Sequence, residues 1–434
     1  MITHIHEHYN GSKDKEEYDF KGEINFIEED YSCQFFRKKR NELVDCYRIY
    51  SDINNSKHYV SNSYFIGVDW IVQNESAIYI QPKLNKENPE TDYFKMLLYA
   101  LKHNDVFNNT DDLFQIKWDS PQIEITHEED LLTPLLVIQF IKVLEIIVRK
   151  GLKKSYYRVE RNLNSRIKGK VLVGKTIKEN LFKNKTLNTV CSFDEFGVNG
   201  LENRLLKKTL VFIQQYLPIL QKSISDNYIR NTFNFINPAF EQVSVEVSLH
   251  DVKHTKTNAF YKEYEEAIRL AKLILKRFGY NLSNVEKKEK IPTPPFWIDM
   301  SNLFELYVLG LLKDKFKNNI IYHPTYRSKE LDYLLTNPPM IIDAKYKPQY
   351  NSSFVLDDVR QISGYSRMHK VYEKLEIEKD KLIDCLIIYP DQKSEQTDLS
   401  NFESLIKQDA AKSNEYVGFY KMGIKLPMIK KKIN

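Results

Sequence analysis

The chain has 434 residues, 42% of them hydrophobic and 28% charged; this is ordinary for a soluble globular protein and, at ~100–200 residues per domain, points to two or three domains. A net charge of +5 permits nucleic-acid binding without arguing for it. The four cysteines, Cys33, Cys46, Cys191 and Cys385, are scattered with no C-x-x-C pair and no close His partner; they suggest neither a disulfide framework nor a zinc site and fit a reducing, cytoplasmic setting.

The polar N-terminus lacks the apolar run of a signal peptide. In the mixed-charge stretch that follows, a strand is expected over residues 23–27 and a helix around residues 36–47. Residues 64–70 and 77–81 are rich in aromatic and β-branched side chains and read as two strands, the second ended by Pro82. A helix is expected over residues 93–102, with Met96, Leu97 and Ala100 on one face. Residues 130–152 form a long helix with Gly151 in the position of a C-cap glycine; Pro134, Gln139, Lys142 and Glu145 interrupt its apolar stretch, so it is a buried helix and not a membrane span. A basic, turn-rich segment over residues 158–185 includes Arg166, Lys168 and Lys170, candidate DNA contacts, although such a run is more often simply a solvated surface. Helices resume at residues 201–216 and 261–278. The prolines of residues 286–295 (EKKEKIPTPP) cannot sit in a helix interior and mark a boundary. The expected fold class is therefore α+β and multidomain. A β-rich N-terminal domain spans 1–125, a mainly helical middle region 126–290, and an α/β domain with a mixed central sheet 291–434.

The chemistry-bearing residues lie in the last of these. A helix over residues 301–313, with Ser301 as N-cap, buries Phe304, Tyr307, Val308 and Leu311 and carries Glu305 on its flank. Strands follow at 320–323, 331–335 and 340–346, the last two joined by a tight Asn337-Pro338-Pro339 turn; then come a helix over 356–368 and an apolar strand over 382–389. Strand alternation places Asp343 and Lys345 on one face, and a hairpin can bring Asp332 beside Asp343. Two adjacent carboxylates repel unless a cation joins them, and Mg²⁺ suits one or two carboxylates plus a substrate phosphate. Lys345 can then orient the attacking water or stabilise developing negative charge, with Glu305 completing the metal shell. Each residue alone has a plainer reading: Asp343 and Lys345 as an exposed ion pair, Glu305 as a solvated helix charge. Their combination in this order gives the pattern its weight.

That order resembles the PD-(D/E)xK nuclease superfamily, with Leu331 in place of the usual proline before Asp332. On the next helix Gln361 and Tyr365 resemble the Q-x-x-x-Y of its RecB-like branch. The resemblance implies that these two, with the neighbouring Arg360, steady the site and contact DNA. Further pieces resemble the McrC family, the nuclease subunit of McrBC-type modification-dependent restriction systems. They are Gln81-Pro82-Lys83, Arg149-Lys150-Gly151-Leu152, Arg166-Ile167-Lys168-Gly169-Lys170-Val171, Glu202-Asn203-Arg204-Leu205-Leu206-Lys207 and residues 296–305 (FWIDMSNLFE). The resemblance covers residues 60–390 and implies a subunit that cuts double-stranded, modified DNA with Mg²⁺, Mn²⁺ being able to substitute. It also implies a separate AAA+ GTPase of the McrB type, docked by the N-terminal part and stimulated by it. The chain is read as having no G-x-x-x-x-G-K-[ST] phosphate loop of its own, so GTP is assigned to that partner. Two alternatives stay open: a GTPase activator with a little-used nuclease fold, and a stand-alone RecB-like repair nuclease.

Overall fold

The structure is a computed structural model that describes residues 2–8, 31–38, 41–52, 57–84, 88–101, 103, 106, 109–110, 112–126, 129–220, 227–252, 261–277, 290–326, 329–348, 355–405 and 415–429. The strand expected over residues 23–27 lies outside them. Residues 1–125 and 292–434 form one compact unit and residues 126–291 a second. The first and last of the three expected stretches thus belong to a single unit.

The N-terminal part of the first unit contains β1 (Ile2–His6), β2 (Tyr31–Arg37), β3 (Glu42–Asp52), β4 (Lys57–Asn62), β5 (Phe65–Val72), β6 (Ser76–Gln81), α1 (Tyr93–Ala100), β7 (Phe114–Ile116) and β8 (Ile123–Thr126). The helix expected around residues 36–47 is not formed among the described residues. Residues 36–37 belong to β2 and residues 42–47 to β3 of an antiparallel sheet, β2-β3-β4, in which Cys33 and Phe35 are buried and Gln34 and Phe36 exposed. This two-residue alternation overrides the weak helical spacing.

In the second unit, α2 (Leu132–Lys150) is buried on nearly every side, and its Lys142 and Arg149 pair with Glu145 at 3.1 and 2.6 Å. No helix among the described residues is long and apolar enough to cross a membrane. The basic segment is more regular than expected. It starts within β9 (Ser155–Asn164) and continues through β10 (Lys170–Val171) and the short helix α3 (Val173–Glu179). β11 (Asn188–Gly197) lies between β9 and β10 in a three-stranded antiparallel sheet. Helices α4 (Leu201–Leu220), α5 (Asn227–Ile236) and α6 (Lys262–Arg277) complete the unit.

Residues 169–176 (GKVLVGKT) have the literal G-x-x-x-x-G-K-T spacing of a phosphate loop, against the expectation that the chain carries none. The fold uses them otherwise. Lys170 and Val171 pair as a strand where a loop should be, Lys175 pairs with Glu160, and the Thr176 hydroxyl accepts from the Val190 amide at 3.0 Å. The first part of the motif is therefore held in a sheet, where a phosphate loop would have open backbone.

The chain then returns to the first unit through β12 (Lys290–Thr293) and β13 (Phe296–Asp299). All four residues of β13 are buried, and the strand sits between β5 and β7 in the sheet β1-β6-β5-β13-β7. Gly67 of β5 allows this close approach: at φ +149°, a Cβ there would lie 2.0 Å from the Phe296 carbonyl oxygen. Helix α7 (Met300–Phe316) follows at once. Its N-cap is Asp299, which accepts from the Asn302 amide at 3.1 Å, and not Ser301 as expected.

The rest of the unit contains β14 (Ile320–Tyr322), β15 (Thr325–Tyr326), β16 (Lys329–Glu330), β17 (Tyr333–Thr336), β18 (Pro339–Ala344), α8 (Leu356–Tyr365), α9 (His369–Leu375), β19 (Asp384–Pro390), α10 (Phe402–Leu405) and β20 (Phe419–Ile424). The single helix expected over residues 356–368 is thus α8 with a separate α9 after it. The sheet order is β14-β17-β18-β19-β20, antiparallel across the first three strands and parallel across the last three. Leu334, Ile341, Cys385 and Ile387 on one face pack against Val359, Ile362 and Tyr365 of α8.

Candidate metal centre

Register places the acidic residues. β17 and β18 pair with Tyr333 opposite Ile342, so Asp332, just before β17, falls level with Asp343. An Asp332 carboxylate oxygen accepts from the Ala344 amide at 2.9 Å, and its carbonyl accepts from the His323 amide at 3.0 Å. Asp343 is 2% exposed, and Lys345 lies one residue beyond the end of β18 with its amide bonded to Ile388. The Lys345 ammonium is 2.8 Å from an Asp343 carboxylate oxygen and donates to the Gln361 side-chain oxygen at 3.2 Å. Gln361 in turn donates to the Tyr365 hydroxyl at 3.0 Å. The i, i+4 spacing on α8 thus becomes a chain of contacts ending on the lysine.

Glu305 is buried on α7, and Tyr333 donates from its hydroxyl to the Glu305 carbonyl. The Glu305 carboxylate meets the Nε2 of His323, a residue not singled out from sequence. His323 stands just after β14 at φ +46°, where non-glycine residues are uncommon. One ligand atom each from Glu305, His323 and Asp332 lie within 4.8 Å of one another. This is the grouping able to hold a metal ion among the described residues. Asp343, expected as a ligand, lies outside this grouping and is paired with Lys345 beside it. No spacing rule could have found His323. Its relation to Glu305 depends on β14 returning along the side of α7.

The electrostatics follow from this crowding. Burial, and then the charge of Glu305, raise the Asp332 carboxyl to about 6. Burial, and then Asp332, raise Asp343 to about 7. For Lys345 burial works downward, but the carboxylates of Asp343 and Asp332 outweigh it and hold the ammonium charged. A site in which two acids resist ionisation is one that a divalent cation would stabilise.

The other expected residues are placed less centrally. Arg360 is exposed on α8 and pairs with Asp357 at 3.2 Å. In the second unit Arg166 and Lys170 are exposed, and the Lys168 ammonium sits 4.1 Å from the centre of the Phe193 ring and 3.8 Å from Glu195.

Fold and cluster together define a mixed α/β protein with a candidate divalent-metal centre at one end of its C-terminal sheet. The chain belongs to the family described as McrBC 5-methylcytosine restriction system component, matched over residues 65–390. Comparison with curated proteins gives no match. Among solved structures, one similar chain is in the refined half-complex from a tetradecameric assembly of Thermococcus gammatolerans McrB AAA+ hexamers with bound McrC. It is 15% identical with a TM-score of 0.35, the similarity covering 85% of this chain and 78% of that one. Another is in the cryo-EM structure of the Thermococcus gammatolerans McrBC complex, 14% identical with a TM-score of 0.29 and covering 85% and 98%.

Proposed function

We propose that this chain is the DNA-cutting subunit of its McrBC-type system, a PD-(D/E)xK endonuclease that hydrolyses phosphodiesters of double-stranded, modified DNA with Mg²⁺ or Mn²⁺. The observation that carries this reading is the convergence of two groups. One is Glu305, His323 and Asp332; the other is Asp343, Lys345, Gln361 and Tyr365. In this reading the first group holds the cation, with Asp343 at its side. The cation would acidify a water molecule and neutralise phosphate charge. Lys345, fixed between Asp343 and Gln361, orients the attacking water or offers its ammonium to a non-bridging phosphate oxygen. Arg360 and the exposed Arg166, Lys168 and Lys170 supply charge for backbone phosphates. We assign GTP hydrolysis to a separate AAA+ GTPase of the McrB type, which this chain stimulates and which selects the DNA. Family membership supports that division of labour.

The test is cleavage of modified plasmid by the chain with its motor partner. Asp343→Ala and Lys345→Ala are expected to abolish nicking while leaving the circular dichroism spectrum, motor binding and stimulated GTP hydrolysis in place. Full cleavage by both variants would overturn the assignment.

A further inference from the structure

We propose that His323 is a metal ligand of this centre, oriented by Glu330, and that its imidazole makes the centre select Mn²⁺ over Mg²⁺. The inference rests on the reading that the cluster binds a divalent cation for phosphodiester cleavage. It goes further in naming a nitrogen donor and the ion that donor prefers.

Orientation comes first. The Nδ1 atom of His323 lies 3.0 Å from a Glu330 carboxylate oxygen. An ionised carboxylate only accepts, so Nδ1 carries the hydrogen. The Nε2 atom is then directed at Glu305, within the same 4.8 Å grouping as Asp332. A carboxylate on one ring nitrogen and a cluster of acidic groups facing the other is the arrangement by which proteins fix the tautomer of a metal-binding histidine. The ring is also held from the side: Tyr322 stacks on it at 3.8 Å with an interplanar angle of 20°. Its backbone stands at φ +46°, with its N–H donating to the Asp332 carbonyl, an unfavourable conformation of the kind that persists where surrounding structure enforces it. A cleft lined by Arg37, Asn302, Glu305, Tyr322, His323 and Glu330 opens onto this ring.

The plainer reading is a histidine neutralising nearby acids. The donor set argues for more. With Nδ1 turned to Glu330, the Nε2 side of the ring shares one 4.8 Å grouping with a carboxylate oxygen each of Glu305 and Asp332, and Glu305 is buried. One nitrogen and two carboxylates so close together suit a divalent cation taking the place of an Nε2 proton.

Ion preference follows from donor type. Mg²⁺ is a hard ion that favours an all-oxygen octahedral shell and keeps its waters. An imidazole in the shell shifts preference toward divalent transition ions, of which Mn²⁺ also accepts carboxylates and phosphate readily.

The experiment uses the full-length chain stripped with EDTA, titrated calorimetrically with Mn²⁺ and with Mg²⁺, and pulsed electron paramagnetic resonance of bound Mn²⁺. Expected are tighter binding of Mn²⁺ and a ¹⁴N coupling from a directly bound imidazole. His323→Asn, a side chain tolerated at positive φ, should remove the coupling and weaken Mn²⁺ binding far more than Mg²⁺ binding, so that most of the preference is lost. Glu330→Gln should keep the coupling and weaken Mn²⁺ by about 10–100-fold. Asp343→Asn should keep the coupling. Circular dichroism confirms that each variant is folded. Bound Mn²⁺ without nitrogen coupling, or an unchanged preference in His323→Asn, overturns the inference and leaves the nuclease reading standing. Absence of any divalent binding overturns both. Nitrogen-coupled Mn²⁺ with no DNA cleavage sustains the ligand assignment and sinks the nuclease reading.

Discussion

Asp332 and Asp343 sit where their charged forms are penalised, and this has a consequence for stability. An unperturbed aspartate titrates near ~4, whereas in the fold these two are raised to about 6 and about 7. A carboxyl raised on folding binds its proton more tightly in the native state. Its contribution to stability is therefore present in acid and is lost as pH rises through the folded value. In EDTA, the melting temperature is expected to fall between about pH 4 and pH 7, the window those shifts define. Asp343→Asn should flatten that fall, and added Mn²⁺ should reverse it at pH 7 and above. A melting temperature independent of pH across this range would contradict the account. Lys345 gives a second prediction at this scale. Gln361→Ala removes the second of the two contacts, beside that with Asp343, that hold its ammonium. Cleavage should drop by about 100-fold, the order expected of a small misplacement, with divalent binding retained; equal losses in rate and metal affinity would count against a positioning role.

At the scale of elements, the junction between β13 and α7 fixes where Glu305 points. Asp299 ends the strand, caps the helix and receives Arg37 of β2 through two nitrogens at 2.8 and 2.7 Å. Asp299→Ala should cost about 1 kcal/mol from the cap alone and more because Arg37 is left largely buried without this partner. Chemical denaturation checks this, and an effect under about 0.5 kcal/mol would show that the cap is incidental. The β17–β18 hairpin is the other decisive element. A slip of one residue would move Asp343 to the opposite face of the sheet. The expectation of paired carboxylates followed from local alternation and a proline turn, both readable without the fold. The helix misplaced onto β2 and β3 shows the limit of the same method: short apolar runs satisfy either period, and the sheet they join settles the matter.

On the scale of the whole molecule, the C-terminal stretch is not self-contained. β13 lies between β5 and β7, and the fully buried Trp297 packs with Tyr47 and donates its indole N–H to Asp69 at 2.9 Å. A fragment of residues 292–434 therefore lacks both neighbours of its first core strand. It is expected to be expanded or aggregated, without cooperative thermal unfolding, whereas the full chain unfolds cooperatively. A soluble fragment with a sharp transition would refute this. Asp332, Asp343, Lys345, Gln361 and Tyr365 were legible in the sequence because their relations are short-range: alternation along a strand, one hairpin and one helical turn. The prolines of residues 292–295 likewise marked a break that local chemistry dictates. Only the tertiary structure decided that this break leads back into the N-terminal sheet, that residues 169–176 form a strand and helix in place of a phosphate loop, and that His323 joins Glu305 and Asp332. These depend on which distant surfaces bury one another, and periodicity within a segment records that a face is apolar without recording what covers it.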